Sequence, residues 1–263
     1  MLGRIAVIIT GEVRTWSITK QSIFDYVESL SDNIDYYFVS WNETTEFWKH
    51  DSLRQIKKTV TDADIIQSFN NRNLVSYKLI PLIETDNGYY LRAHLSKIAN
   101  ILKRQYELKN DFIYDQVVEL RPDVYIPKKS NVKIACCDFE YVIGEVYTHY
   151  QELPSIPDLY LRTSSAGNDI LATRNSYNRF DDIKQFKNLL VRSMDFEPVP
   201  SSRDPHYILL DFIMSKRLIP LKNQSEAEQA TVVRPNFPDN FATLSIEEIR
   251  ELYHKYTKYI DNL

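Results

Sequence analysis

The chain has 263 residues, 43% hydrophobic and 26% charged, which suits one large α/β domain or two small ones with a real core and excludes a disordered chain. Its 32 basic and 36 acidic side chains leave a net charge of −4, so a sequence-independent grip on nucleic acid has no electrostatic support. A small anion held by a few local arginines is compatible with that balance.

The first apolar run, Ile5 to Ile9, is β-branched and continuous, and Thr10-Gly11 closes it. It reads as a buried parallel strand followed by a turn that faces a ligand. It is too short for a signal h-region or a membrane span, so a soluble, cytoplasmic protein without an integral membrane segment is expected. A helix from about Ser17 to Leu30 should follow, then a second strand, Ile34 to Val39, ending at Ser40-Trp41-Asn42. Leu74 to Leu82 is a third candidate strand, interrupted by Pro81.

The clearest helix comes next: Leu91, Leu95, Ile98, Ala99, Leu102 and Tyr106 form a 3.6-residue stripe that should pack on the sheet. Asn110-Asp111 ends it, and Val117 to Leu120 supplies a strand that runs into Arg121-Pro122-Asp123. This alternation of strand and helix predicts a doubly wound, mostly parallel sheet flanked by helices. The second half is less regular. It offers a strand-like run from Phe139 to Tyr147, an apolar run from Ile170 to Ala172, and helices near Asp181 to Val191, Tyr207 to Lys216 and Ile246 to Tyr259. Cys136 and Cys137 are adjacent, which disfavours an ordinary disulfide and suggests buried thiols in a reducing compartment.

Several chemistries are absent from the sequence. With five glycines there is no GxGxxG or Walker loop, and no HExxH or paired CxxC occurs. A literal Asp-x-Asp does occur, at Asp62-Ala63-Asp64. Such a pair can hold a divalent cation, but no convincing buried strand precedes it and the following IIQSF looks helical. These acids are expected to cap a helix start.

Arg121-Pro122-Asp123 stands in a better context, because opposite charges at one strand terminus lie where open α/β sheets bind ligands. A salt bridge that closes the strand end, with Pro122 setting the turn, is the plainer reading of the same residues. The helix, the strand and Arg-Pro-Asp repeat the layout of nucleotide-sugar transferases of the GT-A fold, with Arg-Pro-Asp where Asp-x-Asp would stand. The opening IAVIITGEVRTW resembles that of a family of glycosyltransferases found in viral and bacterial genomes, which begins with a strand and a Gly-x-x-Arg-Thr turn. KIANILKRQYELKNDFIYDQVVELRPDVYI is similar to that family's helix-strand block, and NDILATRNSYNRFDDI and DPHYILLDFI resemble later, weaker blocks.

The resemblance implies one GT-A-like domain, with residues 1–130 as the nucleotide-sugar half and residues 131–263 as the acceptor half. The implied activity is transfer of a sugar from a UDP- or GDP-sugar to a glycan or related acceptor. Thr10, Gly11, Arg14, Thr15, Trp41, Lys97, Arg121 and Asp123 are the expected donor-site residues. Arg14 and Arg121 would meet phosphate oxygens, and Trp41 would stack on a base or pack in the core. Lys97 lies off the apolar stripe, facing phosphate or, on the plainer reading, water. Asp123 could hold Mn²⁺ or Mg²⁺, yet Arg121 replaces the first acid of the pair, so metal-free catalysis is equally compatible. Asp169, read as part of a loop entering a strand, is the first candidate base, and His206 is the second. A non-catalytic nucleotide- or glycan-binding module is the competing reading. A nucleotidyltransferase would want a Gly-rich phosphate loop that the sequence lacks.

Overall fold

The computed structural model describes residues 3–45, 57–82, 88–126, 141–144, 147–149, 153–155, 160–173, 219–222 and 231–232. The chain enters through β1 (Ile5–Thr10), α1 (Trp16–Glu28) and β2 (Ile34–Trp41). A small antiparallel pair, β3 (Glu43–Thr45) with β4 (Lys57–Thr59), leads to α2 (Asp62–Phe69) and β5 (Leu74–Ile80). Then come α3 (Gly88–Asn110), β6 (Gln116–Leu120) and β7 (Val124–Tyr125). The second half contributes β8 (Tyr141–Gly144), β9 (Tyr147–His149), β10 (Leu153–Ser155), β11 (Tyr160–Thr163), α4 (Ser165–Leu171), β12 (Ile219–Lys222) and β13 (Thr231–Val232).

The central sheet has seven strands in the order β12-β8-β11-β6-β1-β2-β5. Strands β5, β2, β1 and β6 are mutually parallel, β11 is antiparallel to both of its neighbours, and β12 is parallel to β8. The protein is therefore a mixed α/β fold with a mostly parallel central sheet. Ile9 pairs with both Phe38 and Leu120, and this register makes β1, β2 and β6 release their chains at the same edge.

All six residues of β1 are buried, as an apolar run covered on both faces should be. The period-2 alternation divides them between two cores. Ile5, Val7 and Ile9 meet Trp16, Phe24, Phe38 and Phe69, whose rings lie 5.3–5.7 Å apart. Ala6 and Ile8 join Tyr37, Val39, Trp41, Leu95 and Ala99 on the face covered by α3. Each large side chain so enclosed stabilises the fold by roughly 1.5–3 kcal/mol relative to exposure.

Helix α3 is buried more widely than its apolar stripe requires. Arg92, Ser96, Asn100, Lys103 and Glu107 form a second, polar stripe at helical spacing, and all five are buried. The helix ends at Asn110, where Asp111 takes a positive φ of 52°.

Asp62 and Asp64 occupy the first turn of α2, but the cap itself is Thr61. Its hydroxyl accepts from the Asp64 amide, and the Asp64 carboxylate accepts from the Thr61 amide at 2.8 Å. That reciprocal box is a helix start, as expected, with Thr61 rather than an aspartate in the cap position.

Two expectations for the second half need correction. The run Phe139 to Tyr147 is not one strand: β8 pairs in the central sheet and β9 pairs with β10 elsewhere. Asp169 does not lie in a loop entering a strand either. Ser164 caps a helix by accepting from the Gly167 amide at 2.9 Å, and Asp169 lies within that helix. The expected helices near Asp181, Tyr207 and Ile246, and Cys136 and Cys137, lie outside the described residues. Among the described residues no helix is long and apolar enough to cross a membrane.

Candidate functional site

The common edge of β1, β2 and β6 gathers two charged turns. After β1, Gly11 adopts φ +143°, a conformation that L side chains rarely take. A Cβ there would lie 2.9 Å from Pro122 Cδ, so the absence of a side chain lets the first turn sit directly against the second. Arg14 then reaches across: its Nη2 lies 3.8 Å from Asp123 Oδ2, and its Nε lies 3.3 Å from Glu12 Oε2. Glu12 also accepts from the Thr44 hydroxyl at 3.3 Å, which ties the turn to β3.

The second turn is held from both sides. Arg121 closes on Asp123 as a fork, with Nε to Oδ1 at 2.8 Å and Nη2 to Oδ2 at 2.7 Å. The Pro122 carbonyl accepts from Thr19 of α1, and Val124 enters β7 immediately afterwards. Asp123 is 2% exposed whereas the Arg121 side chain is 20% exposed, so the carboxylate is fixed and the guanidinium borders solvent. This is the geometry of the plainer salt-bridge reading, with Arg14 added to it.

Beneath the turns lies a buried polar layer. Thr10 Oγ1 is 3.4 Å from Ser96 Oγ, which donates to Glu119 Oε1 at 2.6 Å. Arg92 Nη2 stands 3.5 Å from that oxygen, and Asn168 Nδ2 donates to the other at 3.4 Å. Glu119 thus joins β6 to both α3 and α4.

Of the residues expected at a donor site, Thr10, Gly11, Arg14, Arg121 and Asp123 come together here, and Thr15 lies buried at the start of α1. Trp41 does not present a stacking face: it is buried in the α3-side core, its ring parallel to His94 at 6.5 Å between centroids. Lys97 points outward from α3 and is exposed, as water-facing lysines are. Asp169 faces α3, with Oδ1 3.0 Å from Lys103 Nζ and Oδ2 3.3 Å from Arg104 Nε. Lys103 also donates to the Ser165 hydroxyl at 2.7 Å, and that hydroxyl donates to Glu107 at 2.7 Å. Burial pushes the Lys103 ammonium below its ordinary pKa, and its carboxylate partners oppose the shift. This network clasps α4 to α3. His206 lies outside the described residues.

A divalent ion asks for several hard oxygen ligands. Asp123 turns both oxygens to Arg121, Glu12 faces Arg14, and among the described residues no three metal-ligating side chains cluster. As arranged, these side chains do not fit Mn²⁺ or Mg²⁺, because the ion would have to displace Arg121 from Asp123.

Arg92 and Glu119 escape a reading by apolar periodicity. The available signal is the polar stripe of α3, spaced 4, 4, 3 and 4 residues beside the apolar one. Two adjacent stripes of different chemistry mark a helix buried on both.

No protein-family model matches the sequence, and no curated protein does. Among solved structures, the chain is similar to a glycosyltransferase involved in the glycosylation of the major capsid of PBCV-1, at 10% identity over 83% of this chain and 82% of that one, with a TM-score of 0.42. A likeness at that level carries no functional weight.

Proposed function

We propose that the chain is a glycosyltransferase of the GT-A-like kind, using a UDP- or GDP-sugar and a glycan or related acceptor, with residues 1–130 as donor half and residues 131–263 as acceptor half. The observation that carries this reading is the approach of Arg14 to Asp123, 3.8 Å apart although they leave different strands. It brings the Gly-x-x-Arg-Thr turn and the Arg-Pro-Asp turn together at the edge where parallel open sheets bind ligands.

In the proposed reaction the bond from the anomeric carbon to the diphosphate oxygen breaks, and the acceptor oxygen bonds to that carbon. The acceptor's proton goes to a base, and the nucleoside diphosphate departs with the bonding pair. The chain's task is to stabilise the charge that grows on the departing phosphate. Arg14 and Arg121 are the groups assigned to it, since guanidinium forks match phosphate oxygens. Asp123 keeps the Arg121 fork in one orientation. Of the two candidate bases, Asp169 is engaged by Lys103 and Arg104, which leaves His206 as the acceptor-side candidate.

One observation favours a second reading. The Arg121–Asp123 fork closes on itself, as it would in a nucleotide- or glycan-binding module without turnover. Incubation with individual UDP- and GDP-sugars, with and without Mn²⁺, separates the two. Slow release of nucleoside diphosphate is expected of the transferase, and tight binding without release would favour the module. Neither binding nor release with any donor would remove both.

A further inference from the structure

Helix α3 presents three sides. One packs its apolar stripe on the sheet and the second carries the buried polar stripe, which leaves an outer side that should be polar throughout. It is not. Among the described residues four large apolar side chains stand exposed, and three of them, Ile101 at 46%, Leu108 at 75% and Ile113 at 68%, lie on this helix or in the turn that follows it. Ile101 and Leu108 are seven residues apart, about two turns, so they share the middle of the outer side. Ile113 joins them at the end. Its neighbours Phe112 and Tyr114 pack their rings 4.9 Å apart, and the Tyr114 amide donates to Glu107 at 3.0 Å, which holds the turn against the last turn of the helix.

The charges around this patch are of opposite sign at its two ends. Lys97 is exposed on the amino-terminal side, and Asp111 and Asp115 are exposed on the carboxyl-terminal side. Arg104, between them, is already engaged by Glu107 at 2.9 Å and Asp169 at 3.3 Å. An anionic lipid surface would repel the two aspartates. A second copy turned end to end would not. A two-fold axis midway between Ile101 and Leu108 sets each Ile101 opposite the partner's Leu108. By the 1.5 Å rise per residue, Lys97 then lies about 11 Å from that axis and Asp111 about 10 Å from it on the other side, so each Lys97 comes level with the partner's Asp111. We propose that the outer side of α3 is a self-complementary interface through which two copies of the chain pair antiparallel, with Ile101, Leu108 and Ile113 as its apolar centre and Lys97 and Asp111 setting the direction. One helix face is small for an interface, so the dimer belongs to the weak, concentration-dependent class.

The test is sedimentation equilibrium of the full chain from about 5 to about 300 μM, the range in which a small interface associates. The average mass should rise with concentration from 31.0 kDa toward twice that value. Ile101→Glu and Leu108→Glu should each hold it at 31.0 kDa throughout, with urea midpoints no lower than wild type, because neither side chain belongs to the core. Lys97→Glu and Asp111→Lys should each weaken the dimer by about tenfold, and the double substitution Lys97→Glu/Asp111→Lys should restore it, since two reversed charges face each other again. A mass of 31.0 kDa for wild type at every concentration would overturn the inference. So would a dimer that survives Leu108→Glu, which must use another face. A urea midpoint lowered by Leu108→Glu without any change in mass would overturn it as well, by showing that another segment of the same chain covers the patch. A dimer lost in Leu108→Glu but not restored by the charge swap would overturn the antiparallel pairing.

Discussion

The two ends of the same parallel strands are built on opposite plans. At the amino ends, Asp35 accepts from Arg4 Nε at 2.7 Å, from Tyr114 at 2.6 Å and from Asn73, and Tyr114 meets Tyr37 at 2.8 Å. The Arg4 guanidinium also lies 4.2 Å over the Phe112 ring. Each polar group there is met by a group from a different element, so the network serves to close the fold. At the carboxyl ends the charges sit on turns beside a glycine, and Arg14 and Arg121 keep part of their side chains at the surface. One edge locks the sheet and the other presents it. Substitutions at the first should therefore cost stability and spare binding, whereas those at the second should cost binding.

The largest expected effect breaks the locked edge. Asp35→Ala leaves Arg4 and Tyr114 without their shared acceptor and should lower unfolding free energy by about 3 kcal/mol in urea melts, with UDP and GDP affinity unchanged in the folded protein. A loss of nucleotide affinity would show that the two edges are coupled. Gly11→Ala comes next: the added Cβ meets Pro122 at 2.9 Å in a backbone at φ +143°, so stability should fall by about 1–3 kcal/mol. Here nucleotide affinity should fall as well, and retained affinity would place the ligand elsewhere.

A smaller effect appears at alkaline pH. Burial raises the pKa of Tyr36, Tyr37 and Tyr114 above the ordinary 10.0. The unfolded chain therefore releases these protons first, and the stability that they contribute is present below pH 10.0 and is lost as pH rises past it. Urea midpoints should hold up to about pH 9 and fall progressively as the pH rises beyond about 10. Tyrosinate absorbance from all tyrosines ahead of unfolding would contradict the burial. The smallest effect belongs to the double substitution Asp62→Asn/Asp64→Asn. Thr61 remains the cap, and the carboxamide oxygen left by Asp64→Asn can still accept from the Thr61 amide, so nucleotide affinity should stay within a few fold. Loss of binding in that variant would mean that the literal Asp-x-Asp is the functional acid pair.

How much of this was legible in the sequence depends on period and context. The buried strands declared themselves through continuous β-branched runs, and α3 through its apolar stripe, because burial on a sheet selects those patterns directly. The charged turns could be found because they end such strands. Helix α4 escaped because seven residues give too few turns for a 3.6-residue period, and Ile170-Leu171-Ala172 read alone suits a strand equally well. Trp41 was ambiguous for a similar reason, since a strand-end aromatic suits a ligand or a core, and only the presence of His94 and Leu95 on α3 decides it. Arg92 and Glu119 were hidden by their charge: both read as surface residues until partners distant in sequence enclose them.

The central claim is that the turns after β1 and β6 form a site for the diphosphate of a nucleotide. Calorimetric titration of UDP and GDP into wild type and Arg121→Lys, in Mn²⁺ and in EDTA, tests it most directly. Lysine keeps the charge and loses the planar fork, so affinity should weaken by about 1–3 kcal/mol, equally with and without the metal. Unchanged affinity in Arg121→Lys under both conditions would contradict the account and leave the Arg121–Asp123 fork as a strand-end salt bridge.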